Sequence, residues 1–226
     1  MKKYQLIVQE QIKSPIAEAY RTLRTNIMYS KIDGELKTLL FASAGPDEGK
    51  TTSANNTAVA LAQLGKEVLI VDCDLRKPSQ HQFFQKENRG LTNVLVEEIP
   101  VGELIQPTGV NHLFVLTSGP IPPNPSELLG SKRMLEIIAT LKSQFDYLIF
   151  DTPPVLAVTD ACVLASRVDG VILVIRKGMV RPEVGRQVQE LILKAQGKLL
   201  GIVLNRIDNY RDYSYYHYYY GGENYG

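Results

Sequence analysis

The sequence is poor in cysteine, has no long apolar run and carries no excess of charge of either sign, and each shortage closes off a class of protein. Its two cysteines, Cys73 and Cys162, stand far apart. Neither a disulfide framework nor a four-ligand zinc site can be built from them, and a reducing, cytoplasmic setting fits. Between Met1 and Glu10 there are two lysines but only three consecutive apolar residues, and no later stretch approaches the roughly 18 that a membrane span needs. We therefore expect a chain that is neither exported nor membrane-spanning by itself. With 25 Lys+Arg against 24 Asp+Glu, the net charge is +1 and both signs are spread along the chain, so no nucleic acid partner is expected. His81 and His112 have no companions that would make a triad or a metal set.

What is present is enough apolar residue, 44% of 226, for one sizeable core. Short runs rich in Leu, Ile, Val and Phe predict strands at 37–43, 67–72, 113–117, 147–151, 171–176 and 199–205, with amphipathic helices between them. Buried strands alternating with helices imply an α/β fold, a mostly parallel central sheet flanked by helices. Ser14-Pro15 predicts the start of a helix that runs to about Lys31. Gly65 and Gly197 follow helical patterns where left-handed C-caps are expected.

Composition changes at the end of the chain. Residues 210–226 hold eight of the twelve tyrosines and no aliphatic residue, which predicts a flexible tail after a domain spanning 1–209. Residues such as Asp212, Ser214, His217 and Glu223 between the tyrosines favour solvation.

The most informative stretch is Ala44-Gly45-Pro46-Asp47-Glu48-Gly49-Lys50-Thr51, between a predicted strand and a predicted helix. It reads as a P-loop with alanine in the first glycine position. Such a loop turns backbone N–H groups toward phosphate oxygens, supplies a lysine to the outer phosphates and offers a hydroxyl to magnesium. Gly45, Pro46, Asp47, Glu48, Gly49, Lys50, Thr51 and the following Thr52 are the candidate nucleotide-binding set. Two predicted strands end in carboxylates, one in Asp72-Cys73-Asp74 and one in Asp151-Thr152-Pro153-Pro154. In an open parallel sheet these ends share the ligand crevice, where three like charges need a compensating cation such as Mg²⁺. Asn205-Arg206-Ile207-Asp208 has the outline of a guanine-reading motif with arginine for lysine. A hydrogen bond from Asn205 to adenine and a plain turn are the other readings.

Taken together, these residues resemble the bacterial tyrosine kinases (BY-kinases) that control capsular and exopolysaccharide synthesis. The resemblance covers nearly the whole chain and rests on the P-loop, Leu69 to Pro78 around the paired aspartates, the strand to Asp151, Pro122-Pro123-Asn124-Pro125-Ser126-Glu127-Leu128-Leu129 and the tyrosine tail. Partitioning and septum-placing ATPases share the P-loop and aspartates but usually have a second lysine early in the loop, and Ser43-Ala44-Gly45-Pro46 has none. A nucleotide-switched positioning ATPase without kinase activity is nevertheless the alternative function.

The resemblance implies ATP and Mg²⁺ as cofactors and protein tyrosines as substrates. Lys50 would hold the β- and γ-phosphates, Thr51, Asp74 and Asp151 would bind the metal directly or through water, and Asp72 would accept the tyrosine proton. Asp47 stands where the family often has glycine. Glu18, Arg21 and Arg24 match the family's Glu-x-x-Arg-x-x-Arg motif, which in relatives joins subunits into a ring; an internal Glu18–Arg21 pair on a solvated helix is the other reading. Tyr210, Tyr213, Tyr215, Tyr216, Tyr218, Tyr219, Tyr220 and Tyr225 would be autophosphorylated in trans. The chain resembles the separately encoded type, which would be recruited to the inner face of the membrane by the cytosolic end of a transmembrane activator. Seventeen residues at about 3.3–3.6 Å each reach roughly 56–61 Å, enough to enter a neighbouring subunit. Eight phosphotyrosines would add roughly −12 to −16 charge and favour dispersal of a ring.

Overall fold

The apolar runs fold as their spacing requires, into one sheet between two layers of helices. The structure, a computed structural model, describes residues 5–30, 36–97 and 99–206. In chain order they form α1 (Ile7–Glu10), α2 (Pro15–Tyr29), β1 (Thr38–Ser43), α3 (Lys50–Ala62), β2 (Val68–Asp72), α4 (Gln80–Phe84), α5 (Leu91–Val96), β3 (Gln106–Pro107), β4 (Leu113–Leu116), α6 (Pro125–Leu129), α7 (Lys132–Gln144), β5 (Tyr147–Asp151), α8 (Asp160–Ala165), β6 (Gly170–Arg176), α9 (Pro182–Lys194) and β7 (Leu199–Asn205). The eight tail tyrosines, Ile207 and Asp208 lie outside the described residues.

The sheet order is β3-β4-β2-β5-β1-β6-β7, parallel throughout except for β3, which runs antiparallel to β4. All six predicted strands are present. The seventh, β3, has two residues, one of them proline, and an edge pairing that short leaves no periodic signal. Alternate residues of the central strands serve opposite faces. Leu39, Phe41, Val68 and Ile70 join Val8, Ile27, Ala54, Ala58 and Leu61, while Leu40, Ala42, Leu69 and Val71 join Met134, Ile138, Leu141, Leu164, Val188 and Ile192.

Helix α2 begins as expected: the Ser14 Oγ accepts the Ala17 N–H at 3.1 Å and Pro15 occupies the first turn. It ends at Tyr29, where the Ser30 N–H and hydroxyl both donate to the Ile27 carbonyl. Gly65 adopts a left-handed conformation (φ +73), but Gly197 does not, and at the end of α9 it is Gln196 that does (φ +61). Gly197 is there for space, since a Cβ would lie 2.8 Å from the Ala165 Cβ and 2.9 Å from the Ile192 Cγ2. Helix α3 is buried nearly all round, including Asn55, Asn56 and Thr57. Asn56 accepts the Val8 N–H at 3.1 Å and donates to the Thr52 carbonyl at 2.9 Å, which ties α1 to the central helix without an unpaired amide.

Candidate functional site

Sheet order places the site. β5 lies between β2 and β1, with Asp151 in register with Asp72 on one side and with Phe41 on the other. The carboxyl ends of these strands therefore bring two aspartates beside the loop that leaves β1 at Ser43 and enters α3 at Lys50.

The loop is a phosphate cradle in its backbone. Gly49 has φ +88 and Asp47 φ +59, so the left-handed turn persists with aspartate at the position where the resemblance leads one to expect glycine. Aspartate tolerates that conformation better than most residues. The Ser53 N–H closes the first helical bond on the Gly49 carbonyl. Among the described residues no protein acceptor takes the N–H groups of Lys50, Thr51 or Thr52, which are open donors at the positive end of a 13-residue helix.

Glu48 contributes more than its backbone. Its carboxylate, 1% exposed, accepts the Gly45 N–H at 2.5 Å and the Arg176 N–H at 3.3 Å. The Asn205 side chain donates to the Glu48 carbonyl at 2.8 Å. A Cβ on Gly49 would collide with that same Asn205 amide. The loop is thus pinned to the ends of β6 and β7, and Asn205 is placed as a brace, its Oδ1 accepting the Arg206 N–H at 2.8 Å.

Lys50 turns inward. Its ammonium pairs with the fully buried Asp151 carboxylate and lies 3.3 Å from the Thr51 hydroxyl. Asp72 is also closed off from solvent. It accepts the Asp74 N–H on one oxygen and the Ser79 and Gln80 N–H groups, at 3.0 and 2.9 Å, on the other. Burial first, and then the charge of Asp151, push its pKa up to about 7. Asp74 is only half-buried; one of its oxygens accepts the Arg76 and Lys77 N–H groups. Cys73 between them is buried, and burial raises its thiol well above the ordinary range, so no thiolate competes in the crevice.

These residues fit a magnesium nucleotide. Open helix amides and one buried lysine suit phosphate oxygens, and buried carboxylates beside a single lysine need further positive charge. Among the described residues no three carboxylate, imidazole or thiol groups converge to hold an ion by themselves. Mg²⁺ is usually held by one or two carboxylates, water and substrate phosphates.

A second polar cluster gives the Pro122–Leu129 motif its place. The Arg76 guanidinium meets the fully buried Asp160 through two nitrogens at 3.0 and 3.1 Å, and the Ser126 hydroxyl donates to the same carboxylate at 2.5 Å. The loop after Asp74 is thereby fastened to α6 and α8. Sequence reasoning missed Asp160 and Gln80, because no spacing links residues that only the folded sheet brings together, and it missed the carboxylate of Glu48, whose side chain folds back onto the Gly45 N–H.

The predicted interface strip is engaged within the chain. Arg21 pairs with Glu18 at 2.8 Å and donates to the Ile12 carbonyl at 2.6 Å, and Arg24 donates to the Ala60 carbonyl at 3.1 Å. No helix among the described residues is long and apolar enough to cross a membrane.

Comparison with known proteins gives a consistent placement. A family profile described as an AAA domain matches residues 42–198. The chain is 44% identical over 214 residues to tyrosine-protein kinase YwqD of Bacillus subtilis, covering 93% of this chain and 90% of that protein. It is 41% identical over 215 residues to putative tyrosine-protein kinase CapB of Staphylococcus aureus, covering 95% and 94%. Among solved structures, the kinase domain of Escherichia coli tyrosine kinase ETK superposes with a TM-score of 0.86 at 32% identity, over 91% of this chain and 81% of that one.

Proposed function

The chain belongs to the bacterial tyrosine kinases, and on that premise we propose that it moves the γ-phosphoryl group of ATP onto the tyrosines at 210–225 of a neighbouring copy and so regulates capsular or exopolysaccharide synthesis. The observation that carries this reading is the buried Lys50–Asp151 pair beside Asp72, at the mouth of a helix whose first amides are open.

Each residue then has a task. The α3 amides and the Lys50 ammonium bind the phosphates, Lys50 leaving Asp151 to do so. The Thr51 hydroxyl, with Asp74 and Asp151 directly or through water, would hold Mg²⁺. When bound, the metal would supply positive charge that offsets the negative charge spreading over the phosphate oxygens as the phosphoryl group moves. Asp72 receives the proton as the tyrosine Oη bonds to phosphorus and the bond to the ADP oxygen breaks. A phenol with a pKa of about 10 needs such an acceptor at neutral pH. Because the Ser79 and Gln80 N–H groups occupy one Asp72 oxygen, the proton goes to the other, which accepts only the Asp74 N–H at 3.2 Å; the chain at Asp74 must open for the hydroxyl to reach it, while Gln80 stays in place.

Assembly into a ring would present tails to neighbouring sites. Ile12, Ile16 and Tyr29 are 59%, 50% and 82% exposed on and just before α2, an apolar margin beside Glu18, Arg21 and Arg24 that suits a contact between copies. A membrane protein's cytosolic end would act as activator and hold the assembly at the inner face of the membrane.

Mixing separates trans from cis transfer. One copy carries Lys50→Ala with its tail intact, and the other is wild type but lacks 210–226. Tail phosphotyrosine on the Lys50→Ala copy is expected, with a rate that rises with the concentration of the active copy. An unmodified tail in the mixture, while wild type alone labels itself, would mean that transfer is confined within one chain.

A further inference from the structure

Gln80 touches both carboxylates of the site, and the sequence reading gave it no role. Its side-chain Nε2 donates to Asp151 at 2.9 Å, and its backbone N–H donates to Asp72 at 2.9 Å. A buried partner fixes which way that amide points. Asn55, on α3, donates to the Gln80 Oε1 at 3.0 Å and accepts from the Gln80 Nε2 at 3.0 Å, a reciprocal pair of primary amides.

The orientation is dictated by chemistry. An ionised carboxylate can only accept, so the end of Gln80 that faces Asp151 has to be its NH₂. Its carbonyl must then face Asn55 and receive a donor, and Asn55 in turn must offer its NH₂ there. Turning either amide over would set donor against donor and acceptor against acceptor. Asn55, Gln80 and Asp151 are all 0% exposed, so no solvent could repair the mismatch.

We propose that Gln80, locked by Asn55, is a positioning residue that aims the Asp151 carboxylate at the metal during phosphoryl transfer. This rests on the reading of Asp151 as a metal-binding group. Asp151 has two restraints, and they differ in kind. Lys50 holds Oδ1 and must leave when phosphates arrive, whereas Gln80 holds Oδ2 and is itself held by Asn55. When Lys50 swings to the phosphates, Oδ1 is left bare on the crevice side, and the carboxylate keeps its plane because Gln80 still grips the other oxygen. Partners of this kind behind a metal-binding group commonly set its affinity as strongly as a direct contact does. The lock reaches into α3, the helix that also carries Lys50 and Thr51, so the phosphate cradle and the metal carboxylate are built as one unit.

The test is calorimetric binding of ADP to the full chain, with excess EDTA and with Mg²⁺, in wild type, Gln80→Met and Asn55→Ala. Melting curves accompany each titration. Gln80→Met keeps the volume and removes the amide; Asn55→Ala places the best helix former within α3 and frees the Gln80 amide, and it decides the matter if Gln80→Met does not fold. Wild type is expected to bind ADP more tightly with Mg²⁺ than in EDTA. Both variants are expected to lose about tenfold or more of that metal-dependent gain while their metal-free affinity stays within about twofold of wild type. A folded variant that keeps the full gain, or loses equal affinity with and without metal, overturns the positioning role. A wild-type protein with no metal-dependent gain overturns the metal assignment of Asp151 as well, which distinguishes that failure from the first.

Discussion

Replacing Lys50 with alanine is expected to lower tyrosine phosphorylation by about 10³-fold or more, since the positive charge on the outer phosphates is lost where charge spreads most in the transition state. The same change is expected to destabilise the nucleotide-free protein by roughly 3–5 kcal/mol, because Asp151 loses its ion-pair partner while fully buried. The two effects have different causes and can be separated. In Lys50→Ala with Asp151→Asn the buried charge is gone, so the melting temperature should recover most of the loss while kinase activity stays absent. Denaturant unfolding and labelled ATP read the two quantities side by side. A Lys50→Ala protein as stable as wild type would mean that the ion pair is not what satisfies Asp151.

Asp72→Asn is expected to reduce turnover by about 10²–10⁴-fold, the usual contribution of a proton acceptor. Its pH signature is more specific. Folding raises the Asp72 pKa from 3.8 to about 7, so between those values the folded protein holds a proton that the unfolded chain has released. Stability from this group is full below the lower value and is lost as pH rises through the upper one. Nucleotide-free wild type should therefore lose more stability than Asp72→Asn between pH 6 and pH 8, with equal slopes for the two proteins indicating that Asp72 does not titrate there. In turnover the requirement is reversed, since a proton acceptor must be ionised, and wild-type activity should fall on the acid side of about pH 7.

The fold was legible because its signals are local. Runs such as Val68-Leu69-Ile70-Val71 announce buried strands, and the punctuation of Ser14-Pro15 and Gly65 marks helix ends within a residue or two. Gly197 shows where local signals stop. A glycine after a helix looks like a C-cap, yet this one is required by the approach of Ala165 and Ile192, which no local pattern records. The same limit governs the site. The P-loop and the aspartates at strand ends can be read because each is joined to its own strand. Gln80, Asn55, Glu48 and Asp160 act through partners 25 or more positions away or through a folded-back side chain, and their type and spacing carry no trace of it.

The phosphoryl group is expected to end on the tail tyrosines. The purified 226-residue chain, incubated with ATP and Mg²⁺ and then analysed by intact mass and peptide mapping, should carry phosphate on the tyrosines of 210–225, and the Lys50→Ala protein treated in the same way should carry none. ATP converted to ADP and free phosphate, with every one of those tyrosines unmodified even when the activator's cytosolic peptide is added, would contradict it and point instead to a nucleotide-switched ATPase.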